Sequence, residues 1–338
     1  MLKNRKVKDV LFTIAFPVAV FILMELLCLI FKGRHLVGSL LDIKTLVRNT
    51  GISAILAFAL SFNLSCGRFD LSLGAQRLAG TIVGGVIAMN LGLTGLWFLL
   101  FSIVFGLIFG FITGMMFIIT RVPPMVLGVG IGLVWECVPY VFSEGKGLNL
   151  FGYDGTEILT STPFTIIIMI AVGFFVTVIM NKTKFGCEMK AIQGSQFIAR
   201  NSGINIFRHA VLCYTFAGAL VCIGGIIDAA YQTQMSATLG LASNSAVSSN
   251  MFAMMLGGYI GEKSNQATGV IVAAFTLSIF SYGLTLMELS EANTSVVNQT
   301  VFVLFLVFLA NRYFFKKRAA EKARIAEALE KKKELSVA

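Results

Sequence analysis

Apolar runs close to twenty residues long recur throughout this chain of 338 residues, and they leave it few possible folds. A bilayer core about 30 Å thick is crossed by a helix of about 20 apolar residues, because a helix satisfies its own backbone hydrogen bonds there. The first run, Val10 to Phe31, follows four cations, Lys3, Arg5, Lys6 and Lys8. It is too long for a signal-peptide core and shows no small-residue cleavage site, so an uncleaved first span is expected. Later runs fall at 50–65, 72–90, 94–119, 124–143, 163–180, 209–231, 244–260, 266–287 and 295–314, with those at 72–90 and 244–260 the weakest. These runs predict an all-α polytopic membrane protein of about ten transmembrane helices. Residues 1–9 form a cytoplasmic N-terminus, 10–314 the transmembrane domain and 315–338 a charged cytoplasmic tail.

The chain is 57% hydrophobic and only 13% charged, which no soluble globular domain requires. Its net charge of +10 does not point to nucleic acid, because the cations sit at the ends and in the loops. With the N-terminus inside, 20 Lys and Arg lie in cytoplasmic segments and 5 in outside loops, as the positive-inside rule requires. The first outside loop, with Lys32, Arg34, Lys44 and Arg48, runs against that trend. The six cysteines show neither a CxxC pair nor a metal spacing, so no disulfide framework or metal site is expected. His35 and His209, both near span ends, read as interfacial. Gly106, Gly110 and Gly114 form a small-residue ladder suited to close helix packing.

Two polar intervals interrupt the apolar pattern. The first, Ser65-Cys66-Gly67-Arg68-Phe69-Asp70-Leu71-Ser72-Leu73-Gly74, predicts a broken or re-entrant helix near Asp70. A charge at membrane depth costs at least ~2.5 kcal/mol, so this break must face protein or a water-filled cavity. Asp70 and Ser72 can cap the following helix or line a solute path. Arg68 and Arg77 either add positive potential to that path or, for Arg68, neutralise Asp70. Residues 242–251, ASNSAVSSNM, predict a short helix facing an interior cavity, while 144–162 predict an external loop. Asp228 lines a vestibule or sits at the headgroups.

The second interval, Lys182 to Arg208, carries five cations against the single acid Glu188. Gly186, Gly194 and Gly203 divide it into two short amphipathic pieces, one with Met189 and Ile192 on its apolar face, the other with Phe197 and Ile198. Such a segment either docks a soluble partner or lies on anionic headgroups. Gly257 to Ser264, GGYIGEKS, lacks the glycine before lysine that a phosphate-binding loop needs, so the chain is expected to carry no ATPase.

Taken together, the two intervals resemble the ribose-type permeases of ATP-binding-cassette importers. Cys66 to Gly74 is similar to that family's glycine-rich "GIDLS-G" segment. Phe185-Gly186-Cys187-Glu188-Met189-Lys190-Ala191-Ile192, followed by Ala199-Arg200-Asn201-Ser202-Gly203-Ile204, resembles its cytoplasmic coupling segment. The likeness implies a coupling loop at 181–208, with Gly186, Glu188, Ala191, Ala199, Ser202 and Gly203 engaging a cytoplasmic ATP-binding subunit. It implies an extracytoplasmic solute-binding protein and a second permease copy or paralogue in a bacterial plasma membrane. ATP would bind the partner, leaving this chain no cofactor of its own. Gly67, Arg68, Asp70, Ser72 and Arg77 would flank the solute path, with a monosaccharide such as ribose as cargo. Arg68 replaces a family glycine, and Arg77 is a further unusual charge. Nucleosides and branched-chain amino acids are the other cargoes this architecture serves. A secondary transporter would use the same broken helices without the basic docking loop. An intramembrane enzyme has no nucleophile–base pair to support it.

Overall fold

The computed structural model describes residues 2–262, 264–290 and 292–312. The tail expected at 315–338, the N-terminal cations' side chains and Lys263 lie outside the described residues.

Residues 1–287 form one compact unit. Helix α1 (Leu2–Lys32) is followed by α2 (Leu40–Leu64), α3 (Leu73–Asn90), α4 (Leu96–Thr120) and α5 (Pro124–Phe142). A two-residue strand β1 (Leu148–Asn149) and the turn helix α6 (Glu157–Thr160) lead into α7 (Thr162–Lys182). The polar segment folds as α8 (Lys184–Gly194) and α9 (Gln196–Asn201), and α10 (Ile206–Gln232) follows. Strand β2 (Gln234–Met235), α11 (Asn244–Ser248), α12 (Met251–Gly261) and α13 (Gln266–Leu286) complete this unit. The second unit, residues 288–338, contains the apolar helix Ala292–Arg312.

Eight of these helices are long and apolar enough to cross a membrane. The sequence reading predicts ten, and the two weakest runs account for the difference. Residues 72–90 do form α3, but it carries Gln76 and Arg77 and is buried along most of its length. Residues 244–260 divide into α11 and the 11-residue α12, because the Ser/Asn-rich lead-in interrupts the helix. Both short elements are surrounded by other helices, so neither needs lipid-length apolar surface.

Capping and glycine contacts explain the local order. Ser39 Oγ accepts the Asp42 N–H at 3.3 Å and the Asp42 carboxylate accepts the Ser39 N–H at 2.8 Å, a reciprocal cap that starts α2. Tyr282 on α13 donates to the same carboxylate at 2.6 Å. Helix α4 is closed by Arg121 in the left-handed conformation, and α5 begins at Pro124, where proline suits a first helical turn. Helix α10, buried on nearly every face, packs against α2, α3 and α4. The Gly106–Gly110–Gly114 ladder is the seam between α4 and α10. A methyl at Gly106 would lie 2.6 Å from the Gly218 carbonyl oxygen, and one at Gly114 would lie 2.8 Å from the Val211 Cα.

The expected external loop at 144–162 is more than a solvated connector. Leu148, Leu150 and Leu159 are buried, and Leu148 fills the space beside Gly85 on α3. Its strand pairs antiparallel with β2, Leu148 opposite Met235. This small pairing is the departure from an all-helical chain among the described residues.

Candidate functional site

Helix α2 runs antiparallel to α10, with Leu56 beside Gly224 and Phe62 against Phe216. It ends beside the first turns of α10. Cys66 lies beside His209 and Cys213, whereas the Cys222 Sγ bonds to the Gln76 carbonyl at 3.4 Å. Between residues 66 and 76 the chain therefore passes nine residues of α10, about 14 Å at 1.5 Å per residue. The break predicted near Asp70 is thus an extended passage through the interior, and α3 starts partway up the bundle.

Asp70 organises this passage. Its Oδ1 accepts the Ser72 N–H at 2.8 Å and the Ser72 hydroxyl at 2.6 Å, while Oδ2 accepts Asn63 Nδ2 at 3.3 Å. Ser72 Oγ in turn accepts Gln76 Nε2 at 2.7 Å. Asp70 thus takes the N–H at the start of α3, while the Ser72 side chain accepts no backbone N–H. Gly128 lets α5 approach, since a methyl there would lie 2.7 Å from the Leu71 nitrogen.

A second broken element meets the first. Gly74 sits against the Ser243 backbone at the start of α11, where a methyl would lie 2.7 Å from the Ser243 carbonyl carbon. The two helix starts border a small cavity of about 20 Å³, room for about one water, lined by Asn63, Arg68, Asp70 and Asn244, together with Leu60, Val247 and Met251. The short helix expected at 242–251 does face an interior cavity. Asn63 Oδ1 is buried and has no hydrogen-bond partner, so it can accept from a hydroxyl entering this space.

Sequence reasoning missed the residue that holds α11 in place. Glu136 on α5 is fully buried; its Oε2 accepts the Leu241 N–H at 2.7 Å and its Oε1 the Ser243 N–H at 3.0 Å. Its signal was present as the one acid within the apolar run 124–143. Charge inside a span belongs on a functional or structural contact by default.

The two unusual arginines have different surroundings. Arg77 forms an ion pair with Asp228 on α10, which also accepts Gln232 Nε2 at 2.8 Å. That pair balances the Arg77 charge. Arg68 does not pair with Asp70: its guanidinium reaches the Ile206 carbonyl at 3.5 Å and lies 5.9 Å from the Phe117 ring centroid. Replacing Arg77 with alanine leaves Asp228 mostly buried without its cation, an expected loss of about 1.5–3 kcal/mol. Thermal unfolding in detergent of Arg77→Ala, Asp228→Ala and the double variant checks this, with the double variant losing less than the two singles combined. Strict additivity would show the pair to be uncoupled.

The polar segment is anchored on one face and open on the other. Met189, Ile192 and Ala199 are buried, whereas Phe197 and Ile198 are 74% and 66% exposed and lie beside the exposed Arg200. Gly186 is buried against the end of α7, where a methyl would lie 2.6 Å from the Ile179 carbonyl oxygen. Glu188 forms an ion pair with Lys184 at 3.8 Å, and Ala191 and Ser202 are exposed. Gly203 (φ +83°) closes α9: its N–H donates to the Arg200 carbonyl at 3.1 Å and the Ile204 N–H to the Ala199 carbonyl at 3.1 Å. Gly203→Ala meets no atom but forces alanine into a left-handed conformation, costing about 1–2 kcal/mol. Amide exchange over residues 196–204 is then expected to quicken about 5- to 30-fold; an unchanged rate would mean the turn relaxes freely.

This segment touches the break directly. Gln196 Nε2 donates to the Cys66 carbonyl at 3.2 Å, and Phe185 packs on Phe62 at the end of α2. Beside it, Gly67, Arg68, Phe117, Gln196, Arg200 and Phe207 line an open cleft of about 610 Å³. His209, expected at the interface, is buried beneath Phe185, whose ring stacks on it at 4.3 Å.

Known proteins resemble this chain over most of its length. Residues 43–309 match the family described as branched-chain amino acid transport system / permease component. The chain is similar to the ribose import permease protein RbsC of Bacillus subtilis, with 26% identity over 272 residues, 78% of this chain and 83% of that protein. It is 22% identical over 305 residues to RbsC of Escherichia coli K12, covering 87% of this chain and 92% of the relative. The L-arabinose transport system permease protein AraH of Escherichia coli K12 is 25% identical over 296 residues, 86% of this chain and 88% of its own length.

Proposed function

This chain belongs to the branched-chain amino acid transport system / permease component family, and from that premise we propose that it is the permease subunit of an ATP-binding-cassette importer. The cargo is a small polar solute of the monosaccharide class, moved across a bacterial plasma membrane with both termini on the cytoplasmic side. The chain crosses ten times, with α3 and the α11–α12 pair as short interior crossings. A cytoplasmic ATP-binding subunit, an extracytoplasmic solute-binding protein and a second permease copy complete the transporter. ATP hydrolysis belongs to the partner.

The observation that carries this reading is the α8–α9 segment. Its buried face is fixed to the bundle, its exposed face is apolar and basic, and Gln196 joins it to the break at Cys66. A partner that moves α9 therefore pulls on the chain between α2 and α3. Gln196 and Phe185 pass that displacement to Cys66 and Phe62, and the passage through Asp70 shifts against Gly128 and Ser243. Such a shift opens the cavity to one side or the other, which is a small change at one end amplified by packed helices. Once that shift has widened the space, the solute makes hydrogen bonds with Asp70, Asn63 and Asn244 and undergoes no bond chemistry.

Sugar names among the relatives support a monosaccharide, and the amide and carboxylate groups lining the cavity suit hydroxyl-rich cargo. Uptake of ribose and arabinose by cells carrying the whole transporter tests the proposal. Uptake is expected to follow cellular ATP and to survive collapse of the proton and sodium gradients. Uptake that follows an ion gradient instead would make the chain a secondary transporter.

A further inference from the structure

The fold brings together three metal-ligating side chains that the sequence keeps apart. Cys66 sits where the break after α2 begins, and His209 and Cys213 occupy one face of α10, four residues apart. All three are buried, and their ligand atoms lie within 4.8 Å of one another. We propose that Cys66, His209 and Cys213 form a binding site for a thiophilic divalent metal ion of the Zn²⁺ class.

The histidine is already oriented as a ligand. Its Nε2 lies 3.2 Å from the Phe185 carbonyl, which can only accept, so Nε2 carries the proton. The Nδ1 lone pair is left facing the Cys213 Sγ at 3.5 Å. Metal-bound imidazoles characteristically donate their other N–H to such a carbonyl, which fixes tautomer and ring plane. The Phe185 ring, stacked on His209 at 4.3 Å, holds that plane from one side. Tetrahedral coordination with Zn–N of about 2.0–2.1 Å and Zn–S of about 2.3 Å places N and S about 3.6 Å apart. The His209–Cys213 spacing of 3.5 Å matches that value, and the Cys66 sulfur lies within 4.8 Å of both.

The charges also fit. As two S–metal bonds form, two thiol protons leave to solvent, and the thiolates offset the 2+ charge of the ion. The Arg68 guanidinium lies next to Cys213, and its buried Nη1 has no hydrogen-bond partner. Three protein ligands leave a fourth position open, as in zinc sites that also hold water or another small ligand.

Occupancy would tie three parts into one body: the α2 break through Cys66, the start of α10, and α8 through the Phe185 carbonyl. Its effect on transport rests on the importer reading, but the binding itself does not. The test uses the purified full-length chain, under a phosphine reductant, with the exposed Cys137 and Cys187 changed to serine. Co²⁺ is the spectroscopic probe and Zn²⁺ the competitor. One equivalent of Co²⁺ is expected to give a thiolate-to-cobalt charge-transfer band that Zn²⁺ abolishes. Losing outer partners of a metal ligand costs about 10- to 100-fold in affinity, so Cys66→Ser, Cys213→Ser and His209→Ala are each expected to cost at least about 100-fold. Zn²⁺ should also slow amide exchange over residues 184–194, and this effect should vanish in Cys66→Ser. Absence of the band from the unsubstituted cluster would overturn the site, whatever the variants do. So would a band that survives Cys66→Ser and Cys213→Ser, or recovery of the two thiols as a disulfide in the unreduced protein. None of these outcomes bears on the importer reading, which rests on ATP-dependent uptake.

Discussion

Changing Phe197 and Ile198 together to aspartate is expected to cut ATP-dependent uptake at least about 100-fold while the bundle stays folded. Both side chains are mostly exposed, so neither contributes much to the chain's own core. An apolar side chain of this size gains about 1.5–3 kcal/mol on full burial, which a partner's groove can supply. Interface residues of this kind cost about 2 kcal/mol or more each when truncated. Two of them give about 4 kcal/mol, close to a thousandfold in association, before the added charge repels an apolar groove. Arg200, beside them, contributes a cation at the rim. The measurement pairs uptake with co-purification of the ATP-binding subunit from native membranes. Expected is loss of both, with an unchanged thermal midpoint for the isolated chain. Retained co-purification and uptake would mean that α9 faces solvent or lipid headgroups and that the docking surface lies elsewhere. Met189→Asp is the contrasting control, because Met189 is 4% exposed and its loss strikes the fold itself.

The same segment shows how far sequence reasoning reached. Its two amphipathic pieces were legible from apolar spacing, yet spacing could not say where each face points. Met189 and Ile192 turn into the bundle, while Phe197 and Ile198 turn out, because Ser195 caps a new helix start between them. The break near Asp70 was legible because charge and glycine cannot continue a lipid-facing helix. Its path along α10 was not, since that depends on which helices surround it. The two weakest runs, at 72–90 and 244–260, proved to be interior elements whose neighbours supply the apolar surroundings that lipid would otherwise provide.

Contacts between distant segments were the least accessible. Arg77 and Asp228 are 151 residues apart, and only their opposite charges at membrane depth linked them. Cys66 and His209 share no local motif, so a search for metal spacing finds nothing. The i, i+4 placement of His209 and Cys213 on one helix face was the available clue. The buried leucines at 148, 150 and 159 looked like part of a polar loop because glycine and polar residues surround them.

Replacing Glu136 should stop transport by a different route from that of Phe197 and Ile198. The Glu136 carboxylate holds the N–H groups of Leu241 and Ser243 across a left-handed stretch in which Gly240 (φ +78°) sits without strain and Leu241 (φ +65°) does not. A leucine in the left-handed region costs about 1–2 kcal/mol, which the two charge-assisted bonds offset. In Glu136→Ala both donors are stranded, at about 1–3 kcal/mol each, or roughly 2–6 kcal/mol together. Helix α11 has only five residues and cannot hold its place without that anchor. Its start should then move away from Gly74, and the cavity lined by Asn63, Asp70 and Asn244 loses one wall. Glu136→Gln presents an amide NH₂ to one of the two donors, so it should fall between the native chain and alanine. Expected for alanine is uptake near background with the ATP-binding subunit still bound, since α8 and α9 are untouched. Adding Leu241→Gly removes the strained residue and should recover part of the thermal midpoint, though not uptake, because the lost acceptor is not restored. Native uptake and midpoint in Glu136→Ala would mean that α11 is held by its packing on Gly74 alone. Loss of the ATP-binding subunit in that variant would instead show that the wall at α11 and the docking surface at α9 move as one body.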